Sequence, residues 1–385
     1  MKIAIITLNG HFNYGNRLQN YALQEFLKNF SEQVDTIWYE KNEWWNNVSY
    51  LPETSLNKKF LSKKYLKYIL KYILNRHNIR MKEKILKENY GEECIRQYNI
   101  KKFSDRYISI HYDYRIKENI GTEYDFFVVG SDQIWYPFPN KMNIRFLKFA
   151  PYEKRIAYAA SLGNSKIEKV YKNLFKKSIL GMKHISVRES KGAEIIYELI
   201  GKKVPVLVDP TLLLSKEKWD KMIIKPSWYK ECKYIFVYFL GDLPLEIKKF
   251  AQKYNLKIIN MMDKSNFDIY VSGVEEFIYL IKNAQLVVTD SFHGTIFSIL
   301  MNIPFIVLSR KENNKLLDMN SRIETLLELF GYQDRYIVNG KCNLSEDEIL
   351  HMDFSDVKAI QEREIKRSTE YMKKALNLNK CRSFI

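Results

Sequence analysis

The chain predicts an α/β protein built of two Rossmann-like domains whose parallel sheets face each other across a cleft. Three observations carry that expectation. Its 385 residues exceed what one ordinary core accommodates. Apolar strand-like runs alternate with helix-period segments through both halves, the pattern of parallel sheets covered on both faces. The apolar runs also end repeatedly in short polar turns, where open parallel sheets bind their ligands.

Residues 2–8 read as the first strand. The run is apolar, too short for a signal-peptide core, polar from Asn9 and without a small-residue cleavage site, so the chain is expected in the cytoplasm. A loop rich in Asn and Gly over 9–16 leads to a helix on which Leu18, Ala22, Leu23, Phe26, Leu27 and Phe30 recur at helical spacing. Residues 36–39 make the next strand. An insertion over 44–90 then breaks the alternation. Within it Leu61, Tyr65, Leu66, Ile69, Tyr72 and Ile73 share a helical face, beside Lys63, Lys64, Lys67 and Lys71. Two readings stand for this basic helix: it packs on the sheet and leaves its lysines in water, or it lies on an anionic membrane at the inner face of the plasma membrane. Strands at 126–129, 155–160 and 185–187 follow, the last running into a helix that ends at Ile200. This gives a first domain over 1–202. Strands at 204–208, 234–239, 256–260, 286–289 and 305–308, with helices between them, give a second over 203–385. The last helical stretch, near 355–376, is expected to cross back onto the first domain.

Composition narrows the function. The hydrophobic fraction of 46% is that of a globular protein, and no apolar run approaches the roughly 20 residues that span a bilayer. The four cysteines, Cys94, Cys232, Cys342 and Cys381, lie far apart without metal-ligand spacing, and the six histidines are scattered. No disulfide framework, metal or cofactor is expected. The net charge of +17 calls for an anionic partner: nucleic acid, an anionic membrane or a phosphorylated substrate. No nucleic-acid-binding module is visible, so nucleic acid is set aside.

The most informative stretch runs from Leu286 to Leu300. It reads as a buried strand ending at Thr289, a polar turn with Asp290, Ser291 and His293, and a helix starting near Gly294. The unpaired first N–H groups of a helix attract an anion, and a histidine beside them can move a proton at neutral pH. The alternative is that Asp290 or Ser291 merely caps the helix and His293 packs. The turns at 9–16, 130–133, 161–163, 188–190 and 290–295 all lie at strand ends. If the two sheets face each other, these turns line one cleft.

Five stretches in order then point to a family. They are Asn13-Tyr-Gly-Asn-Arg-Leu-Gln-Asn-Tyr-Ala22, Val128-Val-Gly-Ser-Asp-Gln-Ile-Trp135, Ile185-Ser-Val-Arg-Glu-Ser190, Val208-Asp-Pro-Thr-Leu212 and Thr289-Asp-Ser-Phe-His-Gly-Thr295. From the first strand to about Gly331 the chain resembles the polysaccharide pyruvyl transferase family. The resemblance implies a GT-B-like fold, phosphoenolpyruvate as donor substrate, and as acceptor a sugar of a cell-surface polysaccharide or its lipid-linked oligosaccharide precursor. The product is a pyruvate ketal.

By that resemblance His293 is the general acid at the donor methylene, with phosphate binding as its competing role. Gly294 and Thr295, with Ser291, would offer donors to the anion, and Arg188 would grip the donor carboxylate or phosphate, or else form a surface salt bridge with a nearby Glu. Better-studied members can carry an arginine just before the histidine, where this chain has Ser291 and Phe292. Arg322 is the candidate replacement, or else a solvated first-turn residue. For the acceptor, Asn13, Asn16 and Gln19 could bond sugar hydroxyls, Asn13 and Asn16 equally serving as turn and cap residues. Tyr14 and Trp135 could stack on a sugar, Trp135 equally packing in the core. Asp132 is a base or a helix cap, and Ser131, Gln133 and Ser161 line the cleft. Asp209-Pro210 reads as an inter-domain turn without chemistry. The competing functions are a nucleotide-sugar glycosyltransferase on the same fold, against which no paired-glutamate pattern follows Thr295, and a non-catalytic scaffold.

Overall fold

A computed structural model of the chain describes residues 1–40, 91–114, 116, 120–136, 141–241, 243–309, 320–338, 340 and 342–378. The insertion over 44–90, with its basic helix and its membrane reading, lies outside the described residues, as does Cys381.

The first sheet has six strands: β1 (Lys2–Ile6), β2 (Gln33–Trp38), β3 (Ile110–Tyr112), β4 (Phe126–Val129), β5 (Arg155–Ala160) and β6 (His184–Val187). They lie in the order β3-β2-β1-β4-β5-β6, and every pairing is parallel. The second has five: β7 (Tyr234–Tyr238), β8 (Lys257–Asn260), β9 (Leu286–Thr289), β10 (Phe305–Leu308) and β11 (Tyr336–Ile337). Their order is β11-β10-β9-β7-β8, again all parallel. The first order is that of the dinucleotide-binding fold and the second that of the flavodoxin-like fold. The two Rossmann-like halves expected from the sequence are therefore present. In each sheet the strand order reverses at one place, between β1 and β4 in the first and between β7 and β9 in the second. Ligand crevices form beyond the carboxyl ends of strands at such reversals.

Sequence alternation explains how the sheets are covered. Ile3, Ile5, Val128 and Ile156 face one side of the first sheet, and Ala4, Ile6, Phe127, Val129 and Ala157 the other. Phe236, Val287, Phe305 and Val307 of the second sheet share a core with the first of those sides, while Ile235, Val237, Leu286 and Val288 form a separate core on the far side. One apolar core is thus continuous between the two sheets. Its middle is aromatic: Tyr21 meets Trp219 at 5.7 Å between ring centroids and Trp219 meets Phe297 at 4.9 Å.

Among the described residues the helices of two or more turns are α1 (Tyr14–Leu27), α2 (Glu92–Tyr107), α3 (Lys169–Leu180), α4 (Ser190–Ile200), α5 (Leu245–Lys253), α6 (Val274–Lys282), α7 (Phe292–Met301), α8 (Ser321–Phe330) and α9 (Val357–Ala375). Helix α2 reaches across to the second half, where Asn99 Nδ2 donates to the Val271 carbonyl at 2.7 Å and Arg106 pairs with Glu275 at 3.3 Å. Helix α9 lies against the first half: the Tyr371 hydroxyl donates to the Ala157 carbonyl at 2.7 Å, and the Tyr158 hydroxyl bonds Ser368 Oγ at 2.9 Å. Two sequence readings change. The run 204–208 is no strand of its own; Val206 alone bridges to Val187 at the edge of the first sheet. Strands β3 and β11 went unread because runs of three and two residues carry no usable periodicity.

Candidate functional site

The site is assembled where α1 of the first half meets α7 of the second. Asn13 caps α1, its Oδ1 accepting from the Asn16 N–H at 3.3 Å. Ser291 caps α7, its Oγ accepting from the Gly294 N–H at 3.2 Å. The two helix starts touch. A Cβ built on Gly15 would lie 2.0 Å from His293 Nδ1, so the imidazole rests on the bare backbone of α1.

The far edge of the ring faces a buried polar cluster. His293 Nε2 lies 3.6 Å from Asp209 Oδ2, too long for a hydrogen bond but within ion-pair reach. The same oxygen accepts from Arg188 Nη1 and from Ser131 Oγ, each at 2.7 Å. The other carboxylate oxygen accepts from the N–H and hydroxyl of Thr211 at 3.0 and 2.7 Å. Burial alone would raise the Asp209 pKa, but His293, Arg188 and the Thr211 N–H together hold it far below the usual carboxylate range. Asp132 stands next in line. Its carboxylate accepts from Asn16 Nδ2 at 3.0 Å and from its neighbour's N–H at Gln133 at 2.9 Å, and it lies 3.9 Å from Arg188 Nη2. Burial opposes its ionisation, yet Arg188 and His293 keep its pKa low. Glu189 behaves oppositely. Burial raises its pKa despite Arg188, the Leu162 N–H at 2.8 Å and the Ser161 hydroxyl at 3.1 Å, and Oε2 has no hydrogen-bond partner.

Two cavities flank the turn that carries His293. One, of about 280 Å³, is lined by three arginines, Arg188, Arg322 and Arg367, and three acids, Asp209, Glu328 and Glu364, with Phe292 and several aliphatic side chains. Two guanidinium groups approach the Phe292 ring there, Arg188 at 4.3 Å and Arg322 at 6.0 Å from the ring centre. Arg188 Nε and Nη2 make no hydrogen bond, so donor capacity remains. The other, of about 220 Å³, opens where the strand order reverses in both sheets: Phe12 and Asn13 follow β1, Tyr238 ends β7 and Leu240 follows it, and Asp290 and Ser291 follow β9. No group of three or more His, Cys, Asp or Glu side chains able to hold a metal occurs among the described residues.

Several expectations need correction. Tyr14 is fully buried, stacks on Phe277 at 4.7 Å and donates its hydroxyl to the Ser272 carbonyl at 2.7 Å, so it offers no face to a sugar. Trp135 stacks on Phe146 at 5.0 Å and donates to the Arg145 carbonyl, a core residue. Gln19 is buried against Thr7, and Ser161 and Ser131 are taken up by Glu189 and Asp209. Gln133 fills the space above Gly163. With its low pKa, Asp132 is a weak base. The helix begins at Phe292 rather than near Gly294. Its start consumes the donors assigned to the anion: the Gly294 N–H goes to Ser291 Oγ, and the Thr295 N–H to the Ser291 carbonyl at 2.9 Å. The sequence reading missed Asp209, dismissed as a turn, and Gly15. Their signals were an acid directly after an apolar run and a glycine inside a helix's first turn.

The polysaccharide pyruvyl transferase family model matches residues 13–312. The chain belongs to the polysaccharide pyruvyl transferase family. As a member it is a transferase. None of the curated proteins compared with it matches the chain. Solved structures similar to it include UDP-GlcNAc 2-epimerase from Methanocaldococcus jannaschii in complex with UDP-GlcNAc and UDP, 13% identical, covering 96% of this chain and 100% of that one at a TM-score of 0.45. MurG of Acinetobacter baumannii is 10% identical over 98% of this chain and 99% of its own, at 0.39. ADP-heptose LPS heptosyltransferase II of E. coli is 11% identical over 99% and 100%, at 0.34. Likeness this loose says nothing about the substrate of the pyruvyl transferase. No helix among the described residues is long and apolar enough to cross a membrane.

Proposed function

We propose that this pyruvyl transferase moves the pyruvyl group of phosphoenolpyruvate onto a sugar of a cell-surface polysaccharide or its lipid-linked precursor. The observation that carries the reading is the cavity lined by Arg188 and Arg322, in whose wall stands Asp209, the ion-pair neighbour of His293. It is smaller than the roughly 300–1,000 Å³ of pockets for drug-sized ligands, a size that suits a small anion such as phosphoenolpyruvate. Protonation of the donor methylene makes C2 electrophilic. One sugar hydroxyl adds to C2, phosphate departs, and the second hydroxyl closes the ketal. Of the two hydroxyl protons released, one balances the proton delivered to the methylene and the other leaves with phosphate. His293 is the proton source, Asp209 orients its ring and stabilises its cation, and Arg188 and Arg322 hold the donor's charge. A lipid-linked acceptor, presented at an anionic membrane, also gives the net charge of +17 a purpose.

Thermal unfolding with phosphoenolpyruvate or with UDP-GlcNAc tests the donor. A ligand at 100 times its Kd stabilises by about 2.7 kcal/mol. Phosphoenolpyruvate should raise the transition in the wild type and in His293→Ala but much less in Arg322→Gln. Stabilisation by UDP-GlcNAc and none by phosphoenolpyruvate would transfer the chain to the glycosyltransferase reading.

A further inference from the structure

The second cavity is not needed to hold the donor, and its lining has a different chemistry. Its charged groups are Glu93, Arg96 and Asp290, so carboxylates outnumber guanidinium groups and a phosphate is disfavoured. Arg96 is 3% exposed. Its Nη1 bonds only the Met261 carbonyl and the Met262 sulfur, at 3.3 and 3.5 Å, and its Nε has no hydrogen-bond partner. The rings of Tyr14 and Tyr270 cap it at 5.0 and 4.8 Å. The Arg96 guanidinium therefore keeps donor capacity beside the cavity. At the same cavity Phe12 is 57% exposed. The ring rests on Gly10, where an added Cβ would meet Phe12 Cε1 at 2.3 Å and where φ is +126°. An apolar ring face beside carboxylates, an amide at Asn13 and an unfilled guanidinium N–H matches a pyranose, which has an apolar face and a rim of hydroxyls that both donate and accept.

We infer that this cavity is the acceptor subsite and takes a neutral hexopyranose unit, with Phe12 stacked on the sugar, Glu93 and Asp290 accepting from its hydroxyls and Arg96 donating to one. The assignment rests on the pyruvyl-transfer reading for its role but not for its chemistry. Ser291 borders this cavity and Phe292 the other, so sugar and donor would meet across the turn that carries His293.

Saturation-transfer NMR with a panel of methyl hexopyranosides (gluco, galacto, manno and the 2-acetamido forms) on the full chain tests it. At least one glycoside should receive saturation. Phe12→Ala and Glu93→Gln should each weaken its binding by about tenfold, equivalent to about 1.4 kcal/mol. Phe12 is exposed, so its loss leaves the fold intact, and Glu93→Gln provides a second variant. Arg322→Gln should leave the sugar signal unchanged. No signal from any glycoside, or signals untouched by both variants, would overturn the assignment. Stabilisation by phosphoenolpyruvate is measured on the same samples. If it persists while sugar binding fails, only the subsite is lost; if it fails while sugar binding persists, only the donor reading is lost.

Discussion

Replacing Gly15 by alanine sets two effects of opposite sign against each other. Gly15 lies in the first turn of α1, where alanine should stabilise a helix by about 0.4–1 kcal/mol. The new methyl, however, would stand 2.0, 2.3 and 2.7 Å from Nδ1, Cγ and Cε1 of His293. Restoring ordinary contact needs a shift of more than about 1 Å between α1 and the ring. His293 is buried, with Asp209 on its other side, so it has little room to withdraw. Overpacking of this kind costs about 1–3 kcal/mol. A displacement of about 1 Å in a reacting group lowers turnover about a hundredfold. The assay is a double-mutant cycle in urea unfolding. Gly15→Ala should destabilise the wild type by about 1–2 kcal/mol, yet be neutral or stabilising in His293→Ala, where the ring is gone. An equal loss in both backgrounds, or no loss in the wild type, would refute the idea that Gly15 exists to seat the histidine.

Asp209→Asn leaves the Arg188 guanidinium buried without its full counter-charge and should cost about 3–5 kcal/mol in denaturant unfolding, whereas Ser131→Ala, removing one neutral donor, should cost about 1 kcal/mol. The two acids of unlike environment should also give opposite pH profiles. The folded pKa of Asp209 is depressed, so its contribution is complete above its unfolded value near 3.8 and is lost only as pH falls further. The folded pKa of Glu189 is raised, so its contribution is complete below the usual value of 4.5 and is lost as pH rises through the folded one. Glu189→Gln should therefore gain on the wild type as pH climbs from about 4 to 7 in unfolding experiments; a constant difference across that range would contradict the assignment.

The elements most legible in sequence were those whose own residues decide them. Residues 126–129 and 286–289 are continuous apolar runs ending in small polar residues, and both are strands with those bounds. The turn at 290–293 was legible as a site because a strand and a helix meet there. What stayed hidden was the pairing between distant segments. Whether an acid such as Asp209 is a turn residue or the counter-charge of Arg188, 21 positions earlier, depends on the bridge between Val206 and Val187. Tyr14 could be read as a stacking platform because its partner, Phe277, lies in the other half of the chain. The donors of Gly294 and Thr295 were misassigned for a local reason: Ser291 shifted the helix start back to Phe292 and took them.

The continuous core between the two sheets changes what kind of machine this is. Domains joined by a thin, wet seam swing as a clamshell. Here a swing would have to unstack Tyr14 from Phe277, part Trp219 from Phe297 and tear both α2 and α9 from the opposite half. The halves therefore behave as a single anvil. Access to the site then falls to the loops and side chains at the strand ends rather than to a hinge.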